Sequence, residues 1–190
     1  MTDVMLIWDT PLLFEKLFVD NDLKCQRILS HAIGSPFLPS CKCIIIPTGF
    51  ANPDYAKILS GIERNGKVFE RFVKNGGILV VFGPMVSEYH YDWLPMELTY
   101  VQEHGSTLAQ KVDEHGAQSI IPDDNIDTPI ECDGYFSETD GSVLLKNDGG
   151  KPIMVSKYIG DGMFIATTIH EFPSADFLSW LMSRAKISKI

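Results

Sequence analysis

The chain is poor in the features that announce a reaction or a partner. It has no GxGxxG, no phosphate-loop GxxxxGK[ST] and no GxSxG, so dinucleotide, nucleoside-triphosphate and serine-hydrolase chemistry have no motif to rest on. Basic residues are few: 16 Lys and Arg against 25 Asp and Glu give a formal net charge of -9. The 16 are scattered, which argues against nucleic acid and against acidic membrane surfaces, both of which draw on clustered cations. No run approaches the roughly 20 apolar residues that span a bilayer. An acidic residue stands in the opening "MTDVMLIWDTPLLF" where a secretory leader carries basic ones, so the expected location is the cytoplasm. Cysteine is sparse as well. Cys25, Cys41, Cys43 and Cys132 form neither CxxC knuckles nor a dense disulfide framework, and they read as small buried hydrophobes. Cys41 and Cys43, as alternate residues at the mouth of a strand, are expected to share a face.

What is present is a globular composition, 45% hydrophobic and 22% charged over 190 residues, enough for one domain with a substantial core. "VMLIW" is a buried strand that stops at Asp9-Thr10-Pro11, and "LLFEKLFVDNDL" follows with helical spacing. "CQRILSHAIG" carries a weak strand signal. "CKCIIIPTGF" is a second clear strand, ended by Pro47 and Gly49. "DYAKILSGIERNGKVFERFVKNGG" reads as two helical pieces broken near Asn65-Gly66. The second presents Val68, Phe69, Phe72 and Val73 inward and stops at Asn75-Gly76-Gly77. "ILVVF" is the third strand. Strands apolar on both faces, alternating with helices, predict a parallel sheet covered on both sides.

Residues 84–135 show little periodicity and read as a loop-rich insertion with short elements of its own, within a single domain spanning 1–190. In "SEYHYDWLP", Glu88, His90 and Asp92 would share a face if extended, a spacing that suits a metal, although ordinary strand packing explains it better. The two "EHG" copies, around His104 and His115, and the acidic "PDDNID" read as solvated surface. The last third holds three apolar stretches separated by Asp-Gly-Gly and Gly-Asp-Gly, which are hairpin signals. "PSADFLSWLMSRA" is a helix with Ser174 as N-cap and Phe177, Leu178, Leu181 and Met182 inside.

Taken in order, "CIIIPTGFANPDYAKIL…GKVFERFVKNGGILVVFGP" and the closing "GKPIMVSKYIGDGMFIATTIHEF" resemble the class I glutamine amidotransferase-like superfamily, in the style of its biotin-protein-ligase N-terminal and ThuA-like branches. The resemblance covers the first 84 residues and about the last 40. It implies a three-layer, flavodoxin-like α/β fold with a mostly parallel sheet and a C-terminal antiparallel hairpin extension. It also implies a cysteine nucleophile on a strand-to-helix elbow, followed late in the chain by an H-x-E pair. Here the elbow falls on Phe82 or Gly83, neither of which can attack, and His170 is followed directly by Glu171. Glutaminase chemistry is therefore not expected, and no catalytic residue, cofactor or metal is assigned.

Open parallel sheets bind ligands at the carboxyl ends of their strands. The residues expected there are Asp9, Thr10, Thr48, Gly49, Phe82, Gly83, His170 and Glu171. The function expected is a non-catalytic amidotransferase-like domain that binds a small molecule or a protein partner, with a homodimer as one form of the latter. The alternative is a hydrolase that pairs His170 with carboxylates of residues 88–92, with or without a metal.

Overall fold

The computed structural model describes residues 2–122, 127–170 and 172–190. Glu171, and Asp123 and Asp124 of the acidic tract, lie outside them. The described residues form an eight-stranded sheet in the order β2-β1-β3-β4-β11-β10-β9-β7 and a three-stranded sheet in the order β5-β6-β8.

The centre of the large sheet is parallel: β1 (Val4–Ile7) lies between β2 (Cys25–Ile28) and β3 (Cys43–Ile46), then come β4 (Ile78–Phe82) and β11 (Gly162–Thr167). Beyond β11 the pairing turns antiparallel, through β10 (Pro152–Ile159), β9 (Ser142–Lys146) and the short β7 (Gln110–Lys111). This is the expected mixed α/β architecture, with the hairpin strands forming one flank.

The four central strands are buried on both faces and feed two separate apolar cores. Met5, Ile7, Ile44, Ile46, Leu79 and Val81 join one core; Val4, Leu6, Cys43, Ile45, Ile78 and Val80 join the other. Into the first core pack Ile62 of α2 (Leu59–Arg64) and Phe69, Phe72 and Val73 of α3 (Gly66–Lys74). The second takes Phe14 and Phe18 of α1 (Phe14–Asp20) and Phe177, Leu178 and Leu181 of α4 (Ala175–Arg184). The helical pair breaks at Asn65, as the Asn-Gly signal predicts. Gly76 then leaves α3 at a φ of 102°, a left-handed conformation that favours glycine.

Two details differ from the sequence reading. Cys41 packs into the first core and Cys43 into the second, because Cys41 precedes the strand and only bridges to Ser188. The middle segment is also more regular than its sequence suggests. It supplies the ten-residue strand β6 (Leu98–Thr107), most of the ten-residue strand β8 (Ile130–Thr139), and the short β5 (Glu88–His90). Pairing supplies the regularity: β6 and β8 form a long antiparallel ladder interrupted by register shifts, which blur the alternation expected of a strand.

The small sheet lays Tyr100, Phe136 and the adjacent Tyr91 against the first core. It is joined to the end of β11 by three successive contacts. His170 N donates to Glu131 O at 2.9 Å, Cys132 bridges Ile169, and Asp133 N donates to Thr168 O at 2.9 Å.

Ser174 caps α4 as its position predicts, its Oγ accepting from Phe177 N at 3.0 Å while donating to Ser119 O. Removing the hydroxyl leaves one helix N–H without its partner. Ser174→Ala should cost about 1 kcal/mol, read as a lower urea midpoint at an unchanged denaturant slope.

Candidate functional site

The parallel register sets β1, β3, β4 and β11 side by side and ends them at one edge. Their exit segments are Trp8-Asp9-Thr10, Pro47-Thr48-Gly49, Gly83-Pro84-Met85 and Thr168-Ile169-His170. Two of these turns are held by direct bonds. Gly49, at a φ of 86°, donates its N–H to Gly83 O at 2.8 Å. Met85 stands at a φ of 55°, unusual for a side-chain-bearing residue, and Asn52 Nδ2 donates to its carbonyl at 2.9 Å.

Between these segments lies a cavity of about 320 Å³, whose walls include Trp8, Phe14, Thr48, Phe82, Met85 and His170. Phe14 packs edge-on to both Phe82 and Phe172, at centroid separations of 5.7 and 5.2 Å. Thr48, Tyr55 and His170 supply hydrogen-bonding side chains to the wall. Among the described residues no Asp, Glu, Lys or Arg lines it. Leu13, Tyr55 and Phe172 are exposed at the rim, at 72, 60 and 53%.

Of the residues expected at the site, Thr48, Phe82 and His170 line this cavity, while Gly49 and Gly83 tie two of the loops that enclose it. Asp9 and Thr10 line an adjoining cavity of about 360 Å³, which shares Trp8 and Tyr55 as a partition. The Asp9 carboxylate there is occupied structurally, accepting from Ser30 N at 2.7 Å and Ser30 Oγ at 3.1 Å. Glu171 lies outside the described residues.

His170 sits beside His104, with ring centroids 6.3 Å apart, and His104 approaches Glu131 at 4.0 Å. His90 and Asp92 line a separate cavity of about 490 Å³. There His90 Nδ1 and Thr99 Oγ1 lie 3.1 Å apart and Thr99 Oγ1 donates to Glu138 at 3.2 Å, while the other ring nitrogen of His90 lies 3.1 Å from the Glu88 carboxylate. Among the described residues no group of three or more His, Cys, Asp or Glu is arranged to hold a metal ion. The Cys25 and Cys41 thiols are pushed up to about 12, chiefly by burial, and burial also raises Cys43 well above the ordinary range. Their neutral, apolar form is favoured.

The sequence reading missed the aromatic walls. Trp8 and Phe14 carry signals only of a strand end and a helix face. It also missed Asp133. This residue is fully buried in β8, and neither of its carboxyl oxygens has a hydrogen-bond partner. A side chain built at Gly83 would collide with both of those oxygens. The carboxyl therefore fills the space that a nucleophile at the elbow would need. Burial pushes the Asp133 carboxyl up to about 7, partly offset by the nearby Tyr100 hydroxyl, which donates to the Asp133 main-chain carbonyl at 2.8 Å.

No protein-family model matches the chain, and no curated protein matches its sequence. Solved structures do share its fold. A β-galactosidase from the Antarctic haloarchaeon Halorubrum lacusprofundi superposes with a TM-score of 0.59 at 14% identity, over 97% of this chain and 30% of that one. A β-galactosidase from Bacillus circulans sp. alkalophilus gives 0.54 at 14% identity, over 96% and 30%. A cytoplasmic protein from Salmonella typhimurium LT2 gives 0.56 at 13% identity, over 97% of this chain and 100% of its own. The chain thus spans about 30% of the length of the galactosidases. At these identities the likeness shows the fold alone.

The contact between Gly83 and Asp133 makes a prediction. Gly83→Ala should destabilise the protein by about 3 kcal/mol through overpacking. In an Asp133→Ala background the same change should cost at least about 1 kcal/mol less, because the colliding oxygens are gone. A double-mutant cycle in urea measures both; additive costs would show that the two residues do not share this space.

Proposed function

We propose that the chain is a non-catalytic domain of class I glutamine amidotransferase-like design, which binds a small, uncharged, largely apolar molecule at the carboxyl edge of its parallel sheet. The observation that carries this reading is the pocket itself. It lies where open α/β sheets take ligands, its volume is at the small end of the range for ligand sites, and its walls are aromatic and aliphatic. A charged ligand would lose its hydration there without an opposing side-chain charge among the described residues. A neutral one finds apolar surface plus hydrogen bonds from Thr48, Tyr55 and His170.

The amidotransferase-like part of the proposal rests on the strand order β2-β1-β3-β4-β11, which corresponds to the flavodoxin-like doubly wound order, and on the sequence resemblance around the elbow. The non-catalytic part rests on the elbow, where Phe82 and Gly83 offer no nucleophile and Asp133 occupies the adjoining space. A cytoplasmic setting accords with the acidic composition and with the stated location of the Salmonella neighbour. No helix among the described residues is long and apolar enough to cross a membrane. A protein partner, including a second copy of the chain, is the second reading, favoured by the exposed rim of Leu13, Tyr55 and Phe172.

Two neutral aromatic probes, phenol and indole, test the pocket. Each should shift the NMR resonances of Trp8, Thr48 and His170 together, with a Kd on the order of 1 mM, as expected for a small ligand in a preformed site. Thr48→Trp, which fills the pocket, should abolish the shifts, and glutamine should release no ammonia with either protein. Unmoved resonances with both probes at about 10 mM would overturn the small-molecule reading. Concentration-dependent mass that collapses in Leu13→Glu/Phe172→Glu would then favour the partner.

A further inference from the structure

The most anomalous group in the molecule is the Asp133 carboxyl. It is fully buried, and both of its oxygens lack a hydrogen-bond partner. The hydroxyl of Tyr91, 1% exposed and raised in part by the Asp133 charge, is also without a hydrogen-bond partner among the described residues. Among the described residues, the elements packed around Asp133 bring no cation to it. Tyr91 follows β5 and Tyr100 belongs to β6, and burial raises both phenols, so both stay neutral. The elbow presents Gly83, and the segment after β11 presents main chain at Thr168. Lys157 of neighbouring β10 is held on the surface by Asp140, at 2.5 Å. The Tyr100 hydroxyl lies close but donates to the Asp133 main-chain carbonyl at 2.8 Å, so a neutral carboxyl is tolerable in such a place and an ionised one is poorly compensated.

Its position gives that intolerance a consequence. Asp133 closes the three-contact seam between the small sheet and the end of β11, and its side chain rests on Gly83. The same seam delivers His170 to the pocket, and Gly83 lies between the pocket residues Phe82 and Met85. We propose that Asp133 is a proton-operated latch: its neutral form seats the small sheet against the elbow, and its ionisation loosens that seam and the pocket edge built on it.

The direction follows from linkage. The closed seam holds a proton that an opened, hydrated carboxyl releases. The seam is therefore tightest below the ordinary carboxylate value of 3.8, and it loosens as pH rises toward about 7, levelling off above. Glu131, His104 and His170 also lie along the seam, so the decisive comparison is with Asp133→Asn, which keeps the shape but cannot titrate.

Native-state hydrogen exchange tests this whether or not the pocket has a ligand. The reporters are the amides of Asp133, His170 and Gly49, bonded respectively to Thr168 O, Glu131 O and Gly83 O. After correction for intrinsic exchange, their protection should fall by up to about tenfold per pH unit between roughly pH 4 and 7, with Ile45 in the sheet centre less affected. In Asp133→Asn this fall should be lost from the three profiles. A ¹³C titration of the Asp133 carboxyl in the unaltered protein provides a readout that does not require the variant to fold, and its midpoint should lie near 7. A midpoint in the ordinary carboxylate range, below about 5, would overturn the latch. So would the same pH dependence in Asp133→Asn.

Discussion

The parallel pairing of β1, β3, β4 and β11, with each strand buried on both faces, is the constraint on which the rest of the structure depends. Leu6, Ile45, Val80 and Ile165 stand in register across four strands and face one core, while Ile44, Leu79 and Phe164 stand in register and face the other. A slip of one residue in any strand would exchange the two sets, sending side chains fitted to α3 into the space packed by α1 and α4. Because the register is fixed, the ends of the strands are fixed too. The four exit segments emerge together, and a pocket forms from whatever side chains the chain places there. At this edge it places aromatics and methionine. The result is a cavity whose walls are mostly apolar, with few polar groups among them.

The turn at Gly83 has no room for the nucleophile that the resemblance would place there. The obstacle is not confined to the residue at the turn. A nucleophile requires room for its own side chain, a base in reach and donors for the developing oxyanion. At Gly83 the room itself is occupied, because β8 brings the Asp133 carboxyl against the glycine. A cysteine placed there would meet this carboxyl first. The small sheet thus does more than extend the core: it occupies the ground on which the resembled chemistry stands.

The large sheet was legible in the sequence because its central strands are short apolar runs with clear stops. "ILVVF" coincides with β4 residue for residue, and the Asn65 break and the Ser174 cap also stand where local chemistry places them. The small sheet was not legible. β6 is exposed over most of its second half, and β8 carries Asp133-Gly134 in its middle, a pair that ordinarily marks a turn. Both strands owe their regularity to each other rather than to their own residues. The ends of the central strands were legible, but the character of the side chains gathered around them was not. Trp8 and Phe14 look like any core residue until the fold shows what they face, and a buried acid cannot be told from a surface one in the run "ECDGYF".

Asp9 and Asp133 show why residue type alone could not separate structure from function here. Both are aspartates close to the ends of the parallel strands. Asp9 stands beside Ser30, whose main-chain and side-chain donors satisfy its carboxylate, and it serves to pin one loop. Asp133 is brought by a different strand into a place where a nearby donor, the Tyr100 hydroxyl, is given to the Asp133 main-chain carbonyl. Its carboxyl oxygens are left without a partner among the described residues. The difference lies entirely in the partners that tertiary structure supplies. On the reading proposed above, the unpartnered acid lies under one loop of the pocket edge and not in its wall, so its ionisation would act on the seam and not on the lining itself.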